Sequence, residues 1–212
     1  MSTATLPKKT SISKQKPPKP YKFTINHLKK MYEAGIFKPE EKIELINGET
    51  YKMTPIGFRH MKTVDKLNKI LNSLISRENL PYVVSIQNPI KIDSKNLLYP
   101  DIAIYPEEIY KKEDIPKIKD AVLIIEISDT TLDYDREVKL PVYAKGKARE
   151  VWIINLKDNV LEKYTQPSKK LFKSIHIYHK NEQVKISINT GVVTPTTNNY
   201  VQIVNGYIRM EP

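Results

Sequence analysis

The sequence has no cysteine, which excludes disulfide bonds and thiolate metal sites. Glycine is scarce, at 6 of 212 residues, which argues against a glycine-rich phosphate cradle. No P-loop, dinucleotide fingerprint, zinc-ligand spacing or serine-triad motif is present. No apolar run approaches the roughly 18 residues of a membrane span. The N-terminus lacks the apolar core of a signal peptide, so export is not expected and the cytoplasm is the expected location. Acidic residues are in deficit, 24 against 35 lysines and arginines, for a formal charge of +11. A basic chain suits a polyanionic partner, because phosphate contacts dominate nucleic-acid affinity. Mixed lysine-rich surfaces also serve solubility, so charge alone does not decide.

What is present suits a globular chain: 40% of residues are hydrophobic and 28% charged. Residues 1–20 contain Lys8, Lys9, Lys14, Lys16 and Lys19, no acid and few apolar groups. They read as a flexible basic tail ahead of one domain at 21–212. Thr24 predicts a helix cap, with the helix running through Ala34 to a stop at Gly35. Asn47-Gly48 between two short strand-like runs predicts a β-hairpin. Met61, Val64, Leu67, Ile70 or Leu71, and Leu74 recur at helical spacing over about 60–77. Strands are expected near 82–92, 98–105 and 121–128. A helix then opens at Asp133 or Tyr134 and runs to about Lys145, kinked by Pro141. Further strands are expected near 149–155, 159–165, 171–179 and 183–189. This order predicts an α/β fold, a mixed sheet flanked by helices. Trp152 lies in an apolar strand and reads as core.

Two of these strands carry a carboxylate inside an apolar, β-branched run: Asp101 before Ile102-Ala103-Ile104, and Glu126 between Ile125 and Ile127. A buried charge is costly unless a metal or a paired group compensates it. Hard carboxylate oxygens select Mg²⁺ or Mn²⁺. Such a pair looks like the acidic centre of a metal-dependent nuclease. His176 and His179, three apart on a strand, face opposite ways and are rejected as metal ligands.

The combined pattern resembles the PD-(D/E)xK restriction-endonuclease-like superfamily, and more narrowly the Uma-two family of bacterial endonuclease-like proteins. Ile43-Glu44-Leu45-Ile46-Asn47-Gly48-Glu49 is similar to that family's opening motif. Gly57-Phe58-Arg59-His60 is similar to its G-x-x-H before a long helix. Pro100-Asp101 and Ile125-Glu126-Ile127-Ser128 follow, then Asp135 to Tyr143 as its D-x-x-x-K-x-x-x-Y helix and Glu150-Val151-Trp152 as its E-x-W strand. The likeness runs from about residue 22 to 165. It implies an endonuclease hydrolysing phosphodiester bonds of nucleic acid, with DNA the expected substrate and Mg²⁺ (or Mn²⁺) the cofactor. It implies Asp101, Glu126 and the Ile127 carbonyl as metal ligands. It further implies Glu44 as an additional acid and Lys139 as the catalytic cation. His60, Gln87, Asp135 and Tyr143 are possible supporting residues. Two-fold cutting of a duplex would favour a homodimer.

One departure matters. The superfamily places a lysine two residues after the second acid, where this chain has Ser128. Lys139 replaces it only if its helix turns it inward. Each residue also has a plain reading. Asp101 could end a strand, Glu44 could lie on an exposed hairpin face, and Lys139 could be solvated. Asp135 could serve the helix dipole, His60 could be a surface histidine, and Gln87 could sit in a bulge. The rival function is a catalytically inactive nuclease-fold module that binds DNA or assembles with a partner.

Overall fold

A computed structural model describes residues 19–179 and 182–186, and the backbone of two further strands at 200–204 and 207–210. Residues 1–18 of the expected tail, and residues 187–189 of the last expected strand, lie outside the described residues.

Helix α1 (Ile25–Glu33) is capped by Thr24, whose Oγ1 accepts the backbone N–H of His27 at 3.3 Å. The hairpin of β1 (Ile43–Ile46) and β2 (Glu49–Lys52) turns on Asn47 and Gly48, at φ of 50° and 79°. This paired left-handed geometry matches the twist of the strands it joins. A Cβ on Gly48 would also come within 2.7 Å of the Lys22 Cβ, so the position demands glycine for two reasons. Helix α2 (Phe58–Arg77) buries Val64, Leu67, Leu71 and Leu74 of the stripe its spacing predicts, whereas Met61, in its first turns, is 41% exposed.

Two expected strands are each divided. The run near 82–92 is β3 (Tyr82–Ile86) and β4 (Ile90–Asp93), which join different sheets. Between them Gln87 has a φ of 49° and Pro89 has no N–H to give a ladder. The run near 98–105 is β5 (Asn96–Leu98) and β6 (Ile102–Pro106), broken at Pro100 for the same reason. Asp101 therefore stands immediately before β6 and not within it.

Strand β7 (Leu123–Ser128) is buried along its length. The helix expected after it is three joined pieces: α3 (Leu132–Tyr134), a π-helical turn Asp135–Lys139, and α4 (Leu140–Lys145). Pro141 lies in the first turn of α4, where its missing N–H is least costly. The widened π turn takes the place of a simple kink. The chain continues through β8 (Glu150–Asn155), β9 (Val160–Pro167), β10 (Phe172–Tyr178), β11 (Gln183–Lys185), β12 (Tyr200–Val204) and β13 (Tyr207–Met210).

The central sheet has the order β10-β9-β8-β7-β6-β3 and is antiparallel except between β7 and β8. A parallel pair needs a crossover, which the α3–α4 segment supplies. Smaller antiparallel sheets have the orders β2-β1-β5-β4 and β11-β12-β13. One face of the central sheet packs Ile102, Leu123, Ile125 and Trp152 against the apolar stripe of α2. The other packs Ala103, Ile124, Val151 and Ile153 with Val142, Tyr143 and Ala144 of the crossover, and with Ile46, Ile90 and Leu98 of the smaller sheet. The fold is thus the expected mixed sheet with helices on both faces.

Candidate active site

Alternation along β7 sends Ile125 and Ile127 toward α2, and Ile124, Glu126 and Ser128 toward the crossover. Ile102 of β6 pairs with Ile125. One further step places Asp101 opposite Glu126 at the carboxyl end of β7. Asp101 is held there from several sides. Its Oδ2 accepts the backbone N–H of Ile127 at 2.9 Å, and its Oδ1 accepts from Gln87 Nε2 at 3.3 Å. His60 Nε2, from the first turns of α2, lies 2.9 Å from the same Oδ1.

The crossover brings the cation. Lys139 Nζ lies 3.1 Å from Glu44 Oε1, 3.3 Å from Glu126 Oε1 and 3.9 Å from Asp135 Oδ1. Its side chain is only 7% exposed, so it is not a solvated helix lysine. Glu44 reaches this point from β1. Its Oε1 accepts the backbone N–H of Tyr99 at 3.0 Å and its Oε2 accepts the Tyr134 hydroxyl at 3.1 Å. The exposed-hairpin reading of Glu44 fails because the smaller sheet packs β1 against the crossover face. Tyr143 donates its hydroxyl to Glu126 Oε1 at 2.5 Å. Asp135 Oδ2 accepts from Ser128 Oγ at 2.7 Å and Thr131 Oγ1 at 2.8 Å, which is more than a helix-dipole role requires.

Glu44, His60, Asp101, Glu126, Ile127, Asp135 and Lys139 all line one cavity of about 390 Å³. Gln87 and Tyr143 support it from behind, through Asp101 and Glu126. The Ile127 amide is committed to Asp101, while its residue still borders the cavity.

The electrostatics follow from three buried carboxylates sharing one ammonium, with Asp101 as a further charge nearby. Burial pushes the Glu126 carboxyl well above the usual range; Lys139 opposes this, and Asp135, Asp101 and Glu44 reinforce it. Burial likewise raises Asp135, against Lys139 and the hydroxyls of Ser128 and Thr131. Burial disfavours the charged form of Lys139, but the summed attraction of Glu126, Glu44, Asp135 and Asp101 prevails and holds its pKa well above the ordinary lysine value. Burial and the adjacent Glu126 raise Tyr143, keeping it a hydrogen-bond donor.

Among the described residues, no group of three or more histidine, aspartate or glutamate side chains is set to hold a metal ion. Mg²⁺ does not need one, since it commonly takes one or two carboxylates and completes its shell with water and phosphate. The hard oxygens of Asp101 and Glu126, in a pocket with more carboxylates than cations, fit that requirement.

Tyr134 and Thr131 escaped the sequence reading. Tyr134 bonds Glu44, and its ring lies 5.8 Å from Lys139 Nζ. Its position beside Asp135 was the available signal, but nothing local showed that a residue on β1 would meet it.

Comparisons with known proteins bear on the fold and the family of the chain. No curated protein matches the chain. A crystal structure from Anabaena variabilis, described as a putative nuclease, superposes with a TM-score of 0.58 at 14% identity, covering 77% of this chain and 89% of that one. At that identity the likeness shows the fold, which is restriction-endonuclease-like. Residues 26–194 match the profile of the family described as "Putative restriction endonuclease", and the chain therefore belongs to the Uma2 family.

Proposed function

We propose that the protein is an endonuclease that hydrolyses phosphodiester bonds of DNA with Mg²⁺ or Mn²⁺. The observation that carries this reading is Lys139, buried among Glu44, Glu126 and Asp135 in the cavity that Asp101 also lines. Asp101, Glu126 and the Ile127 carbonyl would hold the cation. When bound, it would neutralise charge on the phosphoryl oxygens and lower the pKa of a bound water.

The chain's own groups have distinct tasks. Lys139 supplies the positive charge that Ser128 cannot, and offsets the charge developing on the phosphoryl oxygens. The carboxylates of Glu44, Glu126 and Asp135 fix the ammonium in place, so little reorganisation accompanies reaction. His60 and Gln87 orient Asp101, and Tyr143 orients Glu126, as second partners commonly do for metal-ligating groups. In hydrolysis one P–O bond forms to the water oxygen and another breaks. The products are a phosphomonoester and a free hydroxyl, which takes up a proton from the water.

Nicking of supercoiled plasmid with Mg²⁺ or Mn²⁺, and with chelator, tests this reading. The parent should cleave only with metal. Asp101→Asn and Lys139→Ala should each lose about 100-fold or more in rate, as loss of one electrostatic stabiliser does. Equal cleavage by these variants would overturn the assignment. Salt-dependent DNA binding with no cleavage by the parent would favour the inactive binding module.

A further inference from the structure

The candidate reactive groups lie at the floor of a pocket and not on an open face. Side-chain exposures there are 7% for Lys139, 3% for Glu126 and Glu44, and 8% for Asp101. The cavity above them is lined on one side by Tyr51, Met53, Pro55 and Ile56, from β2 and the loop after it. Its volume is about 390 Å³, room for a small group such as one nucleotide and not for a segment of duplex. An intact duplex is a stiff cylinder that a cavity of this volume cannot enclose. Its backbone phosphates stay at the surface of that cylinder and cannot reach a buried floor.

We propose that the pocket admits one unstacked nucleotide, so that the substrate is single-stranded or locally melted DNA. This rests on the nuclease reading of the same site. Tyr51 and Tyr134 both line the cavity, half-buried, with ring centroids 6.0 Å apart and tilted by 54°. Tyr134 is tied to Glu44 at the floor. The Tyr51 hydroxyl donates to the exposed Glu49 Oε2 at 2.7 Å, which orients its ring. A ring so held is a platform on which a base of any identity can stack. Ile56 lines the cavity and is 44% exposed, giving an apolar rim for the other base face. The neutral base meets this apolar wall, and the attached phosphate meets Lys139. The division suits a floor whose carboxylates would repel a second phosphate.

The experiment uses the full-length protein and three labelled substrates of one sequence: a single strand, a perfect duplex, and the duplex with a central unpaired bulge. With Mn²⁺, cleavage of the single strand and of the bulge should exceed that of the perfect duplex by at least about tenfold. In chelator, where cleavage is blocked, anisotropy should show the same order of affinity. Tyr51→Ala should weaken single-strand binding about tenfold, which corresponds to ~1.4 kcal/mol, within the range found for base–aromatic stacking. Tyr51→Phe should retain it, and a thermal unfolding midpoint of Tyr51→Ala equal to the parent's guards against a folding defect. Equal cleavage of all three substrates would overturn this inference and leave the nuclease reading intact. Single-strand preference in binding, lost in Tyr51→Ala, without cleavage of any substrate would uphold the inference and defeat the nuclease reading. No preference in binding and no cleavage would defeat both.

Discussion

Replacing Lys139 by methionine keeps much of the side chain's length and removes its charge. Glu44, Glu126 and Asp135 then face one another in a buried pocket without the ammonium they share. Removing one partner of a buried ion pair in this way costs about 3–5 kcal/mol. The loss should depend on pH. Burial already holds the carboxyls of Glu126 and Asp135 above their ordinary values while Lys139 pulls them down, so the variant moves both further up. A carboxyl with a higher pKa in the folded state binds its proton more tightly there. It therefore removes stability as pH rises from the unfolded value, near 4, through the folded one. Lys139 adds no slope of its own in that window. With its folded pKa raised, its contribution is complete below the ordinary lysine value and is lost only as pH rises through the folded one. The parent–variant gap in urea unfolding should accordingly be small near pH 4 and reach the full 3–5 kcal/mol near pH 8. A gap that is absent at pH 8, or identical at both pH values, would refute the shared-cation account.

Other perturbations separate the parts of this scheme. Glu126→Gln should flatten the decline of stability between about pH 5 and pH 8, since it removes a carboxyl whose folded pKa is raised; an unchanged slope in denaturant titrations would count against that assignment. Arg136 donates to both oxygens of the buried Glu162, which Tyr164 and Asn155 also contact. Arg136→Ala should cost about 1–3 kcal/mol by thermal unfolding, as for a buried acceptor left short of a partner. Burial opposes ionisation of Glu162, but Arg136, Tyr164 and Asn155 hold its pKa below the ordinary value. Its contribution is therefore present above the unfolded pKa and fades as pH falls through the folded one. Removing residues 1–20, with five lysines and no acid, should reduce the slope of log affinity for DNA against log salt by up to about 4.5, at about 0.9 per phosphate contact. Unchanged affinity at low salt would make those lysines solubilising only.

Much of the scaffold was readable because its signals are local. A hairpin follows from Asn47-Gly48, since few other residues accept paired left-handed turns. The apolar stripe of α2 and the unbroken apolar run of β7 name their buried faces by periodicity. Prolines were harder. Pro89 and Pro100 sit in apolar runs that read as continuous strands, but each removes a ladder donor, and the chain uses the break to change sheets. Pro141 promised a kink, and the chain instead has a π turn at Asp135–Lys139 just before it. The acids Asp101 and Glu126 could be proposed from their apolar neighbours alone. That Lys139 lies beside Glu126, and that Glu44 and Tyr134 meet, could not. Those contacts join residues 13 and 90 positions apart, across separate elements. They exist only once the parallel β7–β8 pair has forced a crossover over the sheet and the smaller sheet has closed against it. Local sequence states which side chains are chemically able to form a site; packing between distant segments decides which of them share one desolvated cavity.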